Sequence, residues 1–170
     1  MFRRFACFAA ALTLASLISL ATAPSAHADA GAGARAHANA DSLAIRATLD
    51  SLNAACARRD TTAFMSLWDD ADDRLLFVGS SKPEVFHGHA GIRRFRRFLF
   101  SMPFVFSFDL ANVTIRSDGH FGWAYVDGKM FRTAPDGHSS NTDYRYLVVL
   151  VKRGHAWKWQ AFDGSVPGDE

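Results

Sequence analysis

The sequence predicts an α+β domain in which about three N-terminal helices lie on one face of a curved antiparallel β-sheet. Three helical patterns fall between residues 41 and 101, and four long runs rich in aromatic and β-branched residues follow between residues 104 and 166. Short turn-forming segments separate these runs, which is typical of antiparallel connections. Helices gathered on one side of such a sheet define the α+β class.

The first two helices are predicted from capping residues and from the spacing of apolar residues. Asp41 suits an N-cap, and the apolar residues that follow recur on one face of a 3.6-residue repeat. These residues are Ile45, Leu49, Leu52 and Cys56. Asp60 is predicted to cap a second, short helix that ends near Trp68. The apolar run at residues 74–80 then reads as a strand.

The third helix is predicted over residues 90–101. Ile92, Phe95 and Leu99 share one face, and four arginines surround the other, so we expect an amphipathic helix with a solvated basic side. Pro103 ends it, because proline cannot continue a helix without losing a backbone hydrogen bond.

The N-terminal 28 residues have the order of a secretory signal peptide. Arg3 and Arg4 precede an apolar run that reaches about Ala21, and an Ala-His-Ala segment ends at Ala28. We therefore expect cleavage before Asp29 and an exported protein, periplasmic or secreted, with no stable membrane anchor after cleavage. Residues 29–40 are rich in alanine and glycine and are expected to form a flexible leader, which leaves 41–170 as a single domain.

Charge and cysteine content narrow the functional classes. Two of the 19 basic residues lie in the predicted signal peptide, so the rest of the chain balances 17 basic with 17 acidic residues. This balance gives no support to nucleic-acid binding. Cys7 is lost with the signal peptide, and Cys56 alone cannot form a disulfide within one chain.

Four segments occur in an informative order along the chain. They are DTTAFMSLW, FVG, FHGHAGIRRF and the terminal WKWQAFDGSVP. Their order and spacing resemble the SnoaL-like branch of the nuclear transport factor 2-like (NTF2-like) superfamily. In that branch a glycine and a following isoleucine open the third helix, here Gly88 and Ile92. The resemblance extends from about Asp41 to Pro167.

This resemblance implies a cone, in which a bent sheet wraps around the helices and an apolar pocket opens at one end. Members of the superfamily include steroid isomerases, polyketide cyclases and dehydratases, together with binding and assembly modules that lack catalysis. The fold alone does not select among these functions. The residues of the pocket must therefore decide.

Asp163 stands where the family commonly has a histidine in its last strand. Strand alternation places Asp163 on one face with Trp157, Trp159, Ala161 and Ser165, and this more apolar face is expected to point into the cone. A carboxyl group buried there would have a raised pKa and could exchange protons near neutral pH. The alternatives are that Asp163 pairs with an arginine or lies at the rim of the cone.

Arg145 is the candidate partner of Asp163. Because Lys152 should turn outward, alternation along the third long run predicts that Arg145 points inward, where it would bind a carboxylate-bearing ligand. A bulge would reverse this prediction. Four aromatic residues are predicted to form pocket walls or to fill the core: Trp68, Phe77, Tyr125 and Trp159.

No residue pattern indicates a metal or a cofactor. His87 and His89 could offer two ligands, but no third ligand accompanies them in a recognised arrangement. Neither a nucleophile elbow nor a phosphate-binding glycine loop is visible. We therefore expect a chain that needs neither a metal nor a cofactor.

Three functions remain open at this point. The first is a binding domain that holds a small, mostly apolar molecule in its cone, fixed at its polar end by Asp163 and Arg145. The second is a cofactor-free isomerase, cyclase or dehydratase with Asp163 as the catalytic group. The third is a homodimeric interaction module, in which an outward apolar patch on the sheet forms the interface. That patch is predicted to comprise Tyr144, Tyr146, Val148 and Leu150.

Overall fold

A computed structural model describes residues 26–168. Most of the predicted signal peptide, residues 1–28, therefore lies outside the described residues. Three helices and seven strands follow each other along the chain. The helices are α1 (Ala26–Arg58), α2 (Thr61–Ser66) and α3 (Gly88–Ser101). The strands are β1 (Leu76–Val78), β2 (Val85–His87), β3 (Val105–Phe108), β4 (Val113–Ser117), β5 (Phe121–Thr133), β6 (Ser139–Arg153) and β7 (Ala156–Ser165).

All seven strands form one curled sheet in the order β2-β1-β7-β6-β5-β3, and β4 also pairs with β5. Every pairing is antiparallel except that of β1 with β7, which is parallel. The α+β class with a curved sheet around three helices is therefore confirmed. The first predicted long run divides into β3 and β4, and the short strand β2 was not predicted.

The helices pack against the inner face of the sheet and build one core. Ile45 and Leu49 of α1 and Ile92 of α3 are fully buried, as their spacing predicts. On the sheet side the core includes Val148 and Leu150 of β6. Burial of such side chains is the main source of stability in a domain without a disulfide.

Helix α1 begins earlier than the sequence indicated. It extends back to Ala26, so residues 29–40, which we expected to form a flexible leader, lie within this helix. Alanine has the highest helix propensity, and the packed turns after Asp41 supply a nucleus on which this segment can continue. Asp41 is consequently not an N-cap. Its carboxylate accepts hydrogen bonds from the Lys152 amine (2.7 Å) and from the indole of Trp157 (3.3 Å).

A β-bulge in β7 reverses the predicted orientation of the last residues of that strand. Val149 pairs with Ala161 and Leu150 pairs with Trp159, so Gln160 is the extra residue. Trp157 and Trp159 point inward as predicted. Beyond the bulge the alternation changes sign, because one inserted residue exchanges the two faces of a strand. Phe162 is therefore buried and Asp163 is exposed.

The orientation predicted for β6 is also wrong. Four alternate residues that we expected on the outer surface are buried in the core, namely Tyr144, Tyr146, Val148 and Leu150. Arg145 lies on the exposed face instead. The misleading residue was Lys152, which belongs to the inward set but stands at the end of the strand. Its long side chain reaches the carboxylate of Asp41, so a charged residue is accommodated on the inner face.

Within residues 26–168, no helix combines the length and apolar character needed to cross a membrane.

Candidate ligand-binding site

A cavity of about 160 Å³ lies between the helices and the inner face of the sheet. Most of its wall is apolar and aromatic, and its polar groups come from the β1–β2 turn and from two neighbouring strands. The apolar lining consists of Leu52, Cys56, Phe64, Trp68, Phe77, Phe95, Phe98, Leu99, Phe106, Phe108, Met130, Trp159 and Phe162. The polar lining consists of Ser80, Ser81, Glu84, Arg132 and Tyr144.

The aromatic wall is built from rings that support each other. Phe77 stacks on Phe162 with 4.7 Å between ring centroids and on Phe95 with 3.6 Å. Trp68 meets Trp159 edge to face at 5.8 Å. These rings come from the neighbouring strands β1 and β7, from helix α3 and from Trp68 just after α2, so they are held from several directions. Aromatic pairs in these arrangements are stabilising beyond their buried area.

The polar lining residues gather at one end of the cone. Tyr144 lies near the β5–β6 turn, opposite Gly128, whereas Leu150 lies six residues further on, opposite Trp159. A strand rises about 3.4 Å per residue, so the backbones of these two residues are roughly 20 Å apart, but the Tyr144 side chain reaches back to Gly164 and the edge of the Phe162 ring. Arg132 lies on β5 close to the same turn as Tyr144, opposite Ser140. The cavity therefore has an aromatic end near Trp159 and a polar end near Tyr144.

Tyr144 places its hydroxyl group at the polar end while most of its side chain is buried, with 5 % exposure. Gly164 makes this position accessible, because a Cβ atom there would collide with the Tyr144 hydroxyl oxygen. Burial raises the pKa of Tyr144 to about 12, and the negative charge of Glu84 acts in the same direction, although a hydrogen bond with Ser80 opposes both. The hydroxyl is therefore protonated at neutral pH and can donate a hydrogen bond.

Arg132 supplies a positive charge beside this hydroxyl. Its Nη1 donates to the Thr142 hydroxyl at 3.2 Å, and its charge is close enough to Tyr144 to lower the pKa of that residue against the effect of burial. Among residues 37–168 no carboxylate forms an ion pair with Arg132. A half-buried arginine in this position can accept an anionic or strongly polar group from a bound molecule.

Glu84 is the carboxylate of the cavity. It accepts a hydrogen bond from the backbone N–H of Ser81 at 3.2 Å and lies directly against Gly79, where a Cβ atom would not fit. The β1–β2 turn thus holds its charge at the edge of the polar end. A carboxylate in this place can accept a proton from a ligand in the cavity.

Two further residues of the cavity wall have a polar group. One group lacks a hydrogen-bond partner in the described part of the chain and the other is uncharged. Trp68 is 2 % exposed, and its Nε1–H has no acceptor among the residues that the structure describes. Burial raises the pKa of the Cys56 thiol to about 12. Because the thiolate is the reactive form, Cys56 acts as a packed apolar side chain in this wall.

The structure brings together three of the predicted ligand-binding residues. Trp68, Phe77 and Trp159 all line the cavity, as expected for pocket walls. Their direct role in binding remains a prediction. Alternation placed Trp159 correctly because this residue lies before the bulge in β7, and Phe77 and Trp68 lie in β1 and just after α2.

Tyr125 and Arg145 lie elsewhere. Tyr125 belongs to a shallow groove on the outer face of the sheet, beside Trp123 and Leu147. Arg145 is on the same outer face and bonds to Asp127, with 3.2 Å between Nε and Oδ1. Neither residue lines the cavity, so their predicted inward orientation is wrong. For Arg145 the assignment was misled by Lys152, the one residue used to orient its strand, whereas Tyr125 was predicted as a wall residue from its aromatic character alone.

Asp163 does not enter the cavity either. The bulge at Gln160 turns its carboxylate to the exposed face, beside Val78 and Leu147 in the sheet. The predicted Asp163–Arg145 pair is absent from the ion pairs of the described residues. Its proposed role in proton transfer required burial among apolar groups, and that condition is not met.

The polar end was missed because its residues have no common sequence signal. Tyr144 was assigned to the outer face, Glu84 lies in a turn, and Arg132 is one of many arginines in strands. Only the register of β5 against β6 brings Arg132 and Tyr144 to one end of the cone. An inward pattern of large aromatic residues along β6 was the one available indication.

A second polar cluster lies at the β6–β7 turn, far from Tyr144. Asp69 is completely buried, and its carboxylate receives a two-pronged hydrogen bond from Arg153, with distances of 2.6 and 3.0 Å. That hydrogen bond lowers the pKa of Asp69, whereas burial opposes the shift. His89 lies within 2.7 Å of Asp73 and 3.0 Å of the Asp69 carbonyl oxygen. No group of three or more potential metal ligands occurs in the part of the chain that the structure describes.

The curled sheet, the enclosed helices and the aromatic cavity define the cone-shaped α+β class of the NTF2-like superfamily. A model of the SnoaL-like domain family matches residues 45–169, and the chain belongs to that family. The match covers the cavity and the polar end alike.

Solved structures agree on the fold. A protein of the NTF2-like family from Streptomyces avermitilis, described provisionally as a dehydratase, has a TM-score of 0.68 and 16 % identity over 77 % of this chain and 99 % of its own. An NTF2-like superfamily protein from Salmonella enterica has a TM-score of 0.62 and 16 % identity, covering 76 % and 92 %. At such identities the likeness establishes the fold and not the activity. A search of curated protein sequences finds no match to this chain.

Proposed function

We propose that this protein binds a small, mostly apolar molecule inside its cone. The observation that carries the proposal is the cavity itself, whose wall is aromatic at one end and polar at the other. Apolar pockets with a few convergent polar groups are the usual form of small-molecule sites. Tyr144 and Arg132 would hold the polar end of the ligand, in place of the Asp163 and Arg145 pair that the sequence suggested.

Filling the cavity tests this proposal. Cys56→Phe places a large ring into the cavity from α1, and we expect it to abolish binding of toluene, followed by amide chemical shifts in NMR spectra. The matched control is Ala57→Phe, which adds the same ring on the exposed side of α1 and should bind toluene normally. Circular dichroism shows whether each variant is folded, and Leu99→Trp fills the cavity from α3 if Cys56→Phe does not fold.

The outcome that contradicts the proposal is equally clear. If toluene shifts no amide of the cavity in the unmodified protein, or if folded cavity-filling variants bind it as before, the cone is not a ligand site.

A catalytic function is the second candidate, and the positions of Glu84 and Tyr144 favour it. Both line the polar end, so a carboxylate that can take a proton lies near a hydroxyl that can donate a hydrogen bond. Proton transfer next to a carbonyl group, as in an isomerase, cyclase or dehydratase, needs such a pair. This hypothesis moves the catalytic carboxylate from Asp163 to Glu84.

The catalytic hypothesis is tested with Glu84→Gln, which preserves shape and removes the base. For a carbonyl compound that the unmodified protein converts, we expect this substitution to lower kcat by about 100-fold or more. Asp163→Asn is the control and should leave kcat unchanged, because Asp163 is outside the cavity. Equal effects of the two substitutions would remove the assignment to Glu84.

We also propose that two copies associate through the outer face of the sheet. Three large apolar side chains are exposed there: Phe121 at 55 %, Trp123 at 39 % and Leu147 at 38 %. They replace the patch predicted from the sequence, whose residues are buried. Exposed apolar clusters of this kind are typical of interfaces, and a two-fold dimer needs one patch that complements itself.

Sedimentation velocity at micromolar concentration tests this association. We expect a dimer for the unmodified protein and a monomer for Trp123→Glu, because a charge at the centre of the patch cannot be desolvated without a partner. The Leu43→Glu variant adds the same charge at an exposed position of α1 and should remain dimeric. A monomer in all three cases contradicts the proposal.

Export remains part of the proposal. The mature N-terminus, read by mass spectrometry of the protein isolated from its host, should lie near Asp29. Intact N-terminal residues on the functional protein would contradict it.

A further inference from the structure

We propose that the ligand of the cone is a molecule with one aromatic ring and a carboxylate, such as a benzoate-like acid. This inference rests on the proposed binding function and names the chemical class of the ligand. It is drawn from the size of the cavity, the composition of its wall and the unpaired charge at its polar end.

The size of the cavity limits the apolar part of the ligand. Its volume of about 160 Å³ is close to that of an engineered protein cavity, roughly 150 Å³, that holds one benzene molecule. A steroid or another fused polycycle needs several times the space of one ring. The cavity as it stands therefore accepts a single ring and excludes the larger substrates known from the superfamily.

The wall favours an aromatic ring over an aliphatic one. Phe77 and Phe162 present nearly parallel rings, inclined by only 4°, and the Trp68 ring stands beside them at 6.5 Å from Phe77. Phe77 is covered on both faces by Phe162 and Phe95, so edge-to-face contacts are the ones open to a flat guest in this wall.

The polar end selects the substituent of the ring. Arg132 has a guanidinium group without an ion pair among the described residues, and the Tyr144 hydroxyl beside it keeps its proton at neutral pH. A carboxylate accepts hydrogen bonds from both groups, and charge-assisted bonds of this type are the strongest available in such a site.

The negative charges of Glu84 and, from outside the cavity, of Asp163 oppose an anion near Tyr144. The Glu84 carboxylate is held by the Ser81 N–H against Gly79, on the β1–β2 turn, while Arg132 belongs to β5. A ligand carboxylate that meets Arg132 and Tyr144 completes the pairing of the arginine and leaves Glu84 with its backbone donor.

Isothermal titration of three small molecules tests the inference. We use benzoate, acetophenone and toluene, which share one ring and differ in the charge and hydrogen-bonding capacity of the substituent. We expect benzoate to bind at least about 10-fold more tightly than toluene, with acetophenone between them. Testosterone, with four fused rings, should not bind.

Arg132→Gln removes the positive charge of the site and keeps a polar side chain at this position. It should weaken benzoate binding about 10-fold or more and leave toluene binding within about twofold. Arg97→Gln removes the same charge from an exposed position of α3 and should change neither. Tyr144→Phe should weaken the binding of both benzoate and acetophenone, because it removes a hydrogen-bond donor and leaves the charge of the site unchanged.

The results also distinguish this inference from the proposed function. If toluene binds in the cavity but benzoate binds no better, or if Arg132→Gln has no effect on benzoate, the carboxylate specificity is wrong and the binding function stands. If none of the three single-ring compounds binds, the binding function itself is wrong.

Discussion

At the residue scale, small side chains decide what the cavity contains. Gly164 lacks a Cβ atom, and the hydroxyl of Tyr144 occupies the space that such an atom would take. Gly79 has the same relation to the carboxylate of Glu84. Two glycines without unusual backbone angles thus place the two groups that give the cavity its polar end. The sequence showed both glycines, but it gave no indication of what approaches them.

Gly164→Ala should therefore destabilise the protein by about 1–3 kcal/mol, because the added methyl group meets the Tyr144 hydroxyl and the edge of Phe162. Chemical denaturation measures the change. In a double-mutant cycle, Tyr144→Phe should recover part of the loss, since it removes the colliding oxygen. Additive effects of the two substitutions would show that the close contact is absent.

The thiol of Cys56 offers a test of burial. Its pKa is raised to about 12 by burial, so at pH 9 the thiolate is roughly 500-fold less populated than that of an ordinary cysteine. We expect alkylation by iodoacetamide to be at least that much slower than in the urea-unfolded chain. Rapid alkylation of the folded protein at pH 9 would contradict the placement of Cys56 in the cavity wall.

At the element scale, one bulge determines which face of β7 each residue occupies. Simple alternation predicts the orientation of Trp157 and Trp159 correctly and fails from Gln160 onward. The side chain of Gln160 donates to Asp69 at 3.3 Å, so the extra residue has a defined partner outside the cavity. Bulges of this kind re-aim the residues that follow them.

Deletion of Gln160 tests the bulge. Without it, regular alternation would turn Asp163 toward the core and Phe162 toward solvent, which should cost more than about 3 kcal/mol or prevent folding. Gln160→Ala keeps the bulge and should cost no more than about 1 kcal/mol, as measured by urea denaturation. A deletion variant as stable as Gln160→Ala would show that the register is regular.

These elements also show how far the sequence alone can go. Helical periodicity and turn residues predicted α2, α3 and the four long strand runs, because these signals are local. The cone was expected from the resemblance to the SnoaL-like branch. The inner face of β6 was assigned wrongly because Lys152 was taken to point outward, whereas its long side chain reaches Asp41. The inner face of β7 was assigned wrongly beyond Gln160, where a bulge occurs and Gln160 bonds to Asp69. Both partners are distant in the chain. The site residues Tyr144, Glu84 and Arg132 depend on the same distant contacts.

At the scale of the whole molecule, the two ends of the cone differ in their polar groups. The end at the β5–β6 turn carries the polar part of the cavity. The opposite end carries two ion pairs to β6: Asp41 of α1 with Lys152, and Asp69 of the α2–β1 connection with Arg153. Breaking a buried pair leaves a desolvated group without its partner and is strongly destabilising.

Asp69→Asn should lower the free energy of unfolding at pH 7 by about 1–3 kcal/mol. The pKa of Asp69 is lowered in the folded state by its hydrogen bond with Arg153, so the carboxylate stabilises the fold above its unfolded pKa of about 3.9. This contribution is lost as the pH falls below about 4. Urea denaturation should therefore show that the difference between the two proteins shrinks on acidification, and a difference independent of pH would contradict the assignment.

The central claim is that the cone holds a small aromatic molecule. Intermolecular nuclear Overhauser effects from the ring protons of benzoate test it most directly, because the cavity and the groove on the outer face of the sheet are lined by different methyl groups. We predict effects to Leu52 and Met130, which line the cavity. Effects confined to Leu147 and Val149, in the groove on the outer face of the sheet, would contradict it.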